Sequence, residues 1–461
     1  MSIHVNQLIE QLLISLDQTQ ITHSETELLN HSKDESYHAG KNPTVIVYPR
    51  SKEDVVHIMA VSSKMNIPVI PYGRGSSLEG HIIPIGDAIT IDFAEMNKII
   101  DIRAEDLLVT VQPGIGRIDL NNELRKHGLF FSVDPGADAS IGGMVATNAS
   151  GTTSVKYGTM RDQVRDLEVV LANGSVIHTG NLAAKSSSGY HLNGLFVGSE
   201  GTLGTFTEIT LRVFGIPEFQ VAARVNFETV DSAIDAVTTI RQAGIPIARV
   251  ELVDAGSIEH LNAYSKTNFP MKTTLFLEFH GNEAGLAQDL EFTKEIMEDH
   301  GCSNFVVESD TKARNIIWEA RHNLAYAFIH SYRDKKMMTT DVCVPISSLA
   351  TAIHFARDNM DKKNIVGGII GHVGDGNFHV SMMVNMDHTQ DVKNAVEFNA
   401  DLVEFGLSLG GTCTGEHGVG IGKLKYQKLE HGPAYEVMQV IKKSLDPQNL
   451  LNPGKLILVD S

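Results

Sequence analysis

Gly73-Arg74-Gly75-Ser76-Ser77-Leu78-Glu79-Gly80 follows the apolar run Pro68-Val69-Ile70 and leads into Ile82 to Phe93, a stretch that holds Pro84 and Gly86. A glycine-rich turn after a strand exposes backbone N–H groups that can cradle a pyrophosphate. The spacing is neither G-x-G-x-x-G nor G-x-x-x-x-G-K-[ST], and β-type sequence follows instead of a helix. Rossmann and P-loop readings both fail. Taken alone, the segment reads equally well as a tight β-turn. Two further clusters change the balance. Asp134-Pro135-Gly136-Ala137-Asp138-Ala139-Ser140-Ile141-Gly142-Gly143 runs on to Asn148-Ala149-Ser150-Gly151 and Lys156-Tyr157-Gly158, and Gly198-Ser199-Glu200-Gly201-Thr202-Leu203-Gly204 precedes the apolar run Ile209 to Val213. Bulky side chains are almost absent from them, as expected where backbone must approach a large flat ligand. Together the three clusters favour a large cofactor that carries a pyrophosphate.

The chain has 461 residues, 42% hydrophobic and 20% charged, which suits a globular protein of two large or three smaller units. Its 56 acidic and 38 basic side chains leave a net charge of −18. With no run of Lys and Arg to offset that charge, nucleic acid is excluded as a partner. Three cysteines without a C-x-x-C fit a reducing compartment and cannot supply four ligands to an iron–sulfur centre. The first twenty residues hold no Lys or Arg, which argues against a secretory or mitochondrial leader. Val5, Leu8, Ile9, Leu12, Leu13 and Leu16 recur at helical spacing, and no apolar run reaches the ~20 residues of a membrane span.

From Tyr37 to about Val213 short β-type runs alternate with glycine, and one helix is expected over Ser51 to Met65 with Ser51 as its cap. Beyond Pro217 strands and helices alternate regularly: strand Gln220 to Phe227, helix Ser232 to Gln242, strand Thr273 to Glu278, helix Leu286 to His300. A second round gives helix Thr311 to Phe328, strand Met337 to Val344 and helix Ser347 to Met360. The pattern predicts an α+β layer of ferredoxin-like type. The expected segments are 1–36, a helical N-terminal piece; 37–216, the cofactor domain; 217–425, a cap; and 426–461, a return to the cofactor domain.

Asp375-Gly376 is a two-residue hairpin signal between apolar flanks. That turn would set Gly374 against Asn377, Val373 against Phe378 and His372 against His379. Opposed residues on one face have Cβ atoms ~4.5–5.5 Å apart, so two imidazoles so placed can ligate one divalent ion. Asn377 shares their face. The plain alternative is a stacked surface pair of histidines. Glu416 and His417 lie in Gly411-Thr412-Cys413-Thr414-Gly415-Glu416-His417-Gly418, a loop too rich in glycine to be filler. A carboxylate that joins two histidines leaves open positions for substrate oxygens, and an adjacent imidazole of near-neutral pKa suits a general base.

Pro71-Tyr72-Gly73-x-Gly75-x-Ser77-Leu78-Glu79-Gly80, the Asp134 to Gly143 run and Val197-Gly198-Ser199-Glu200-Gly201-Thr202-Leu203-Gly204 resemble the FAD domain of the vanillyl-alcohol-oxidase (PCMH-type) flavoproteins. Thr340-Asp341-Val342-Cys343-Val344-Pro345, Gly371-His372-Val373-Gly374-Asp375-Gly376-Asn377-Phe378-His379 and Gly415-Glu416-His417-Gly418 narrow the likeness to the D-lactate dehydrogenase (cytochrome) and glycolate oxidase FAD-subunit branch. The resemblance spans about 37 to 461. It implies a two-lobed FAD domain, a ferredoxin-like cap and non-covalent FAD; it does not imply covalent attachment at His81. Flavin contacts are expected at Gly73, Arg74, Gly75, Ser76, Ser77, Pro135, Gly136, Ser140, Gly142, Gly143, Asn148, Gly151, Tyr157, Gly158, Glu200, Gly201, Leu203, Ile209 and Asn452. Metal ligands are expected at His372, His379 and Glu416 for zinc, manganese or iron. His417 is expected as the base, with Asn377 and Arg321 on the substrate. Trp318-Glu319-Ala320-Arg321-His322 resembles the family's substrate-arginine segment, and a guanidinium can hold a carboxylate bidentately; an exposed Arg paired on its own helix is the alternative. In the related D-2-hydroxyglutarate dehydrogenases a lysine is expected where this chain has Thr339, so a second substrate carboxylate is disfavoured.

The implied activity is oxidation of a D-2-hydroxy acid, D-lactate to pyruvate, with electrons passed to a quinone, a cytochrome or an iron–sulfur partner. Glycolate oxidation, a hydroxyglutarate dehydrogenase and a non-catalytic flavin subunit are its rivals, as is a flavin-free metal hydrolase. The expected location is cytoplasmic, peripheral at the inner face of a membrane, and a second copy of the chain is a candidate partner.

Overall fold

The computed structural model describes residues 3–459. Its chain divides into two compact units. The first takes in residues 1–150, 158–216 and 416–461, and the second 151–157 and 217–415. The chain therefore leaves the second unit at Gly415, earlier than the 425 expected from composition, and Gly151–Tyr157 belongs to the second unit although its sequence neighbours do not.

The first unit has two larger sheets with separate cores, beside a short pairing of Leu129–Phe130 with Phe214–Gly215. In one, Ile21–Thr22, Val45–Val47, Ile89–Asp92 and Val69–Tyr72 lie in that order, the last three mutually parallel. The N-terminal helix is Ile3–Leu12, shorter than its spacing predicts: Leu8 and Leu12, with Leu16 beyond the helix end, are buried beside Val55, Ile58 and Met59 of helix Lys52–Met65, while Leu13 is exposed. Ser51 caps that helix by accepting from Asp54 N at 3.2 Å. The other sheet is an antiparallel five-strand array in the order Ile99–Arg103, Leu108–Val111, Thr205–Arg212, Val164–Val170, Val176–His178. The C-terminal tail is built into this unit. Leu451 bridges to Val69, and Lys442 Nζ, buried, donates to Asp446 Oδ2 at 2.5 Å and to the carbonyls of Thr202 and Leu451, both at 2.8 Å.

The second unit is α+β. Its antiparallel sheet runs Asn304–Glu308, Phe219–Phe227, Thr273–Gly281, Ile247–Val253, Gly367–His372, Asn377–Val384, Lys336–Thr339, and Val342–Cys343 adds a short pairing to Asn377–Val384. One face packs on helices Val230–Gln242, Glu283–Asp299, Leu349–Lys362 and Thr389–Ser408. The opposite face, where Ala222, Val253 and Phe276 point, packs on Ala255–Ser265, Thr311–His322 and Leu324–Ser331. A ferredoxin-like layer covered on one face only is thus extended by a second set of helices. Two boundaries differ from the sequence reading. The helix expected over 311–328 breaks at Asn323, which closes Thr311–His322 and opens Leu324–Ser331. The strand expected over 337–344 is interrupted at Thr340 and Asp341, because Thr340 Oγ1 takes the Val380 N–H at 2.9 Å in place of a regular ladder bond.

The hairpin register also differs. His372 pairs with Asn377 and His379 with Ile370, so the connection is Val373–Gly376 and the two-residue turn is corrected to a four-residue loop. Two forces set this. Val373 is fully buried in the core, and Val344 N claims the Gly376 carbonyl at 3.0 Å. The shift is by two residues, which keeps His372, Asn377 and His379 on one face.

Gly376 has φ +80, and a Cβ there would sit 2.0 Å from the Val344 carbonyl oxygen. A left-handed non-glycine residue costs about 1–2 kcal/mol before any clash. Gly376→Ala should therefore lower the thermal midpoint by several degrees; an unchanged melting curve would refute the loop geometry.

Candidate active site

In the second unit one buried carboxylate organises the site. Glu251 lies on strand Ile247–Val253, whose register Leu252↔Gly371 carries on to set Glu251 across from His372. Glu251 Oε1 accepts from His372 Nδ1 at 2.6 Å, and Oε2 accepts from Arg321 Nη2 at 2.5 Å. Burial alone would raise the Glu251 carboxyl; the His372 ring and the Arg321 guanidinium outweigh it and hold the group below its usual range. Sequence reasoning missed Glu251. The signal was a carboxylate flanked by Val250 and Leu252 in a mostly apolar strand, which must find partners when buried.

His379 is buried, and its Nδ1 donates to the Thr340 carbonyl at 3.0 Å. The His372 and His379 ring centroids lie 5.5 Å apart, nearly perpendicular. Both groups that face Nδ1, a carboxylate and a carbonyl, can only accept. Each neutral ring therefore carries its proton on Nδ1 and its lone pair on Nε2, the arrangement that an acceptor on Nδ1 imposes on metal-binding histidines. Asn377 donates through Nδ2 to Asp341 Oδ1 at 2.7 Å and to the Val342 carbonyl at 3.0 Å, while Thr414 Oγ1 donates to Asp341 Oδ2 at 2.6 Å. Asp341, fully buried, lies in the Thr340 to Pro345 motif, yet the sequence alone assigned it no role. The Asn377 amide nitrogen is thus engaged inside the protein, which leaves Oδ1 without a hydrogen-bond partner among the described residues. Arg321 is equally buried, on the last turn of its helix, and its Nε has no partner among the described residues. It is not the exposed helix Arg of the plain alternative.

In the first unit the glycine loops meet around a cleft lined by Pro71, Tyr72, Gly73, Pro113, Ser140, Gly142, Gly143, Gly201 and Gly204, with Phe93, Ala146, Thr205 and Phe206. A Cβ on Gly73 would lie 2.2 Å from Ser140 Oγ, and one on Gly142 2.6 Å from Pro113 Cβ. These glycines let loops distant in sequence close on one another, which makes a wall mostly of backbone and small side chains; that wall fits a flat dinucleotide. Other residues expected at the flavin also make contacts within the protein. Arg74 pairs with Asp138 and, at 3.5 Å, with Asp119. Ile209 is in the core, and Asn452 Nδ2 donates to the carbonyls of His81 and Glu200 at 3.1 and 2.8 Å. The Glu200 carboxylate accepts from Val419 N at 2.6 Å and Gly420 N at 2.9 Å, with His81 Nε2 3.3 Å away. Gly151 and Tyr157 belong to the second unit, where Tyr157 Oη meets His280 Nδ1 at 2.8 Å. Glu416 and His417 open the C-terminal part of the first unit; Ser150 Oγ donates to Glu416 Oε2 at 3.3 Å, and His417 Nε2 lies 4.0 Å from Glu416 Oε1.

The chain matches two family descriptions: the FAD linked oxidases, C-terminal domain, over residues 216–456, and the FAD binding domain over 43–180. It is 44% identical to a probable mitochondrial D-lactate dehydrogenase of Danio rerio, covering 93% of this chain and 87% of that one. It is 41% identical to the mitochondrial D-lactate dehydrogenase [cytochrome] of Arabidopsis thaliana, over 98% and 80%. Glycolate oxidase subunit GlcD of Bacillus subtilis is 32% identical, over 91% and 90%. Among solved structures, 4-ethylphenol oxidase from Gulosibacter chungangensis superposes with a TM-score of 0.79 at 16% identity, over 99% and 98% of the two chains. Substrate-bound p-cresol methylhydroxylase gives 0.78 at 17%, over 99% and 97%. The fold is that of the PCMH-type FAD oxidases.

The His81–Glu200 pair gives the first unit a pH dependence. Burial pulls the His81 pKa down, but Glu200 overcomes it and raises the value above 6.5; burial pushes Glu200 up, but His81 and the two loop N–H groups hold it below 4.5. The Glu200 contribution is therefore present above pH 4.5 and lost as pH falls through its lower folded value. The His81 contribution is complete below pH 6.5 and lost as pH rises through its higher folded value. The thermal midpoint should fall as pH rises above 6.5, and His81→Asn should abolish that fall. An identical alkaline profile in the variant would refute the pairing.

Proposed function

The chain belongs to the FAD-linked oxidases, a family of flavoprotein oxidoreductases, and on that premise we propose that it oxidises D-lactate to pyruvate. The observation that carries the reading is Arg321. It is a buried guanidinium with an unpartnered Nε among the described residues, held by the same carboxylate that holds His372. Such a group suits the single carboxylate of a small 2-hydroxy acid. D-lactate is the name borne by relatives that cover most of the chain. Thr339 stands where a lysine would serve a second carboxylate, which argues against a dicarboxylic substrate. Glycolate is the second reading, supported by the glycolate oxidase subunit of Bacillus subtilis.

In this reading the glycine loops of the first unit hold FAD non-covalently, and His372, His379 and Glu416 hold one divalent ion. The donor chemistry fits: two imidazoles are fixed with Nε2 as the lone-pair nitrogen, and a carboxylate completes a set suited to zinc, manganese or iron. When bound, FAD supplies a hydride acceptor, and the ion a Lewis acid that eases ionisation of the substrate hydroxyl. Arg321 fixes the substrate carboxylate. His417 takes the hydroxyl proton on its imidazole, and the hydride of Cα would be what bound FAD accepts. The Asn377 amide oxygen, which has no hydrogen-bond partner among the described residues, would serve the substrate as a further acceptor. The electrons would pass on to an external acceptor, a cytochrome in our reading, with a quinone or an iron–sulfur partner as the other candidates. We assign the protein to the cytoplasm, at a membrane's inner face, a reading that rests on the low cysteine count of the sequence. No helix among the described residues is long and apolar enough to cross a membrane.

Anaerobic addition of D-lactate to the purified protein should bleach the flavin absorbance within one turnover; no bleaching by any 2-hydroxy acid would overturn the assignment. Variants separate base from ligand. His379→Ala and Glu416→Ala should lose metal and activity together. His417→Ala should keep metal and FAD yet slow flavin reduction by about 10²–10⁴-fold. Loss of metal from the His417 variant, with retention in the Glu416 variant, would reverse those two roles. Arg321→Lys should raise KM and lower kcat with FAD content unchanged.

A further inference from the structure

We propose that Glu251 is a positioning residue that couples the substrate-carboxylate holder Arg321 to the metal ligand His372, so that neither is correctly set without the other. The proposal rests on the function read above. The two Glu251 oxygens serve different partners, since Oε2 accepts from Arg321 Nη2 at 2.5 Å and Oε1 from His372 Nδ1 at 2.6 Å. The carboxylate is fully buried. Its backbone is fixed too. Strand Ile247–Val253 is internal to the sheet, paired on one side to Thr273–Gly281 and on the other to Gly367–His372.

The chemistry of the two contacts is directional. A carboxylate accepts at both oxygens, so it demands a proton on His372 Nδ1 and thereby presents Nε2 as the ligand atom. The same charge turns one edge of the Arg321 guanidinium inward. The Nε that this arrangement leaves without a partner among the described residues is available to a second anion. A glutamine at 251 would keep the size but carry one acceptor and one NH2. Whichever way the amide is turned, a donor meets either the guanidinium or the imidazole N–H. One carboxylate therefore enforces the tautomer of a metal ligand and the aim of a substrate anchor together.

Glu251→Gln tests this. Zn2+ titrated calorimetrically into the metal-stripped flavoprotein should bind 10–100-fold more weakly than to the parent, the range usual for lost second-shell partners. The KM for D-lactate should rise by roughly the same factor, since a hydrogen bond to a charged group contributes about that much. In Arg321→Lys the KM should rise while Zn2+ affinity stays parental. Because the Gln variant leaves the Arg321 charge buried without its partner, Glu251→Gln/Arg321→Met is the control for folding. It removes that charge, and its Zn2+ affinity should stay as low as in the single variant. Return of parental affinity in the double variant would overturn the proposal, as would a single variant that changes only its melting temperature, or only one of the two constants. A parent protein that binds no Zn2+ would overturn the metal reading itself. A parent that binds it beside an equally tight Glu251→Gln variant would overturn the role of Glu251 alone.

Discussion

A carboxylate in the middle of a sheet must be paired or neutral, and Glu251 is paired twice. Removing one partner of such a buried pair costs about 3–5 kcal/mol, so the arrangement of Arg321 and His372 around it is stiff. Everything chemical in the second unit follows from where the sheet sets this group. The antiparallel register puts it across from His372, and the register of the next hairpin puts Asn377 and His379 on the same face. The break after His322 ends the overlying helix, so Arg321 reaches Glu251 from its last turn. The opposite face of the sheet carries only core.

The first unit solves a different problem, that of bringing backbone together. Gly73 against Ser140 and Gly142 against Pro113 are contacts a Cβ would forbid. They join loops that lie far apart in sequence. The Glu200 carboxylate then ties the loop that starts with Glu416 to the same region through the Val419 and Gly420 N–H groups. Glycine here serves chain-to-chain closure as much as closeness to a ligand, so a sequence scan sees the clusters but cannot separate the two uses.

Much of this was legible in the sequence, and the limits have physical reasons. The α+β class, the helix from Lys52 to Met65 and the placement of His372, Asn377 and His379 on one face all follow from local pattern. The hairpin register does not, because it was decided by burial of Val373 together with Val344, a residue far away in sequence that claims the Gly376 carbonyl. A shift by two preserves the face, which is why the histidines still converge. Glu251 escaped because its partners lie 70 and 121 residues further along the chain, and only the sheet brings them together. Arg74, Ile209 and Asn452 were expected at the flavin from the resemblance, while their side chains are engaged in ion pairs, core and carbonyl contacts that no motif displays.

The central claim is that second-sphere partners hold both hairpin histidines with Nε2 presented to one divalent ion. An anomalous difference map from crystals grown with Zn2+ tests it directly. The account predicts a single peak about 2.0–2.1 Å from Nε2 of His372 and from Nε2 of His379, with Glu251 still on Nδ1 of the former. A peak on either Nδ1, or no peak between the two rings at full zinc loading, would contradict it.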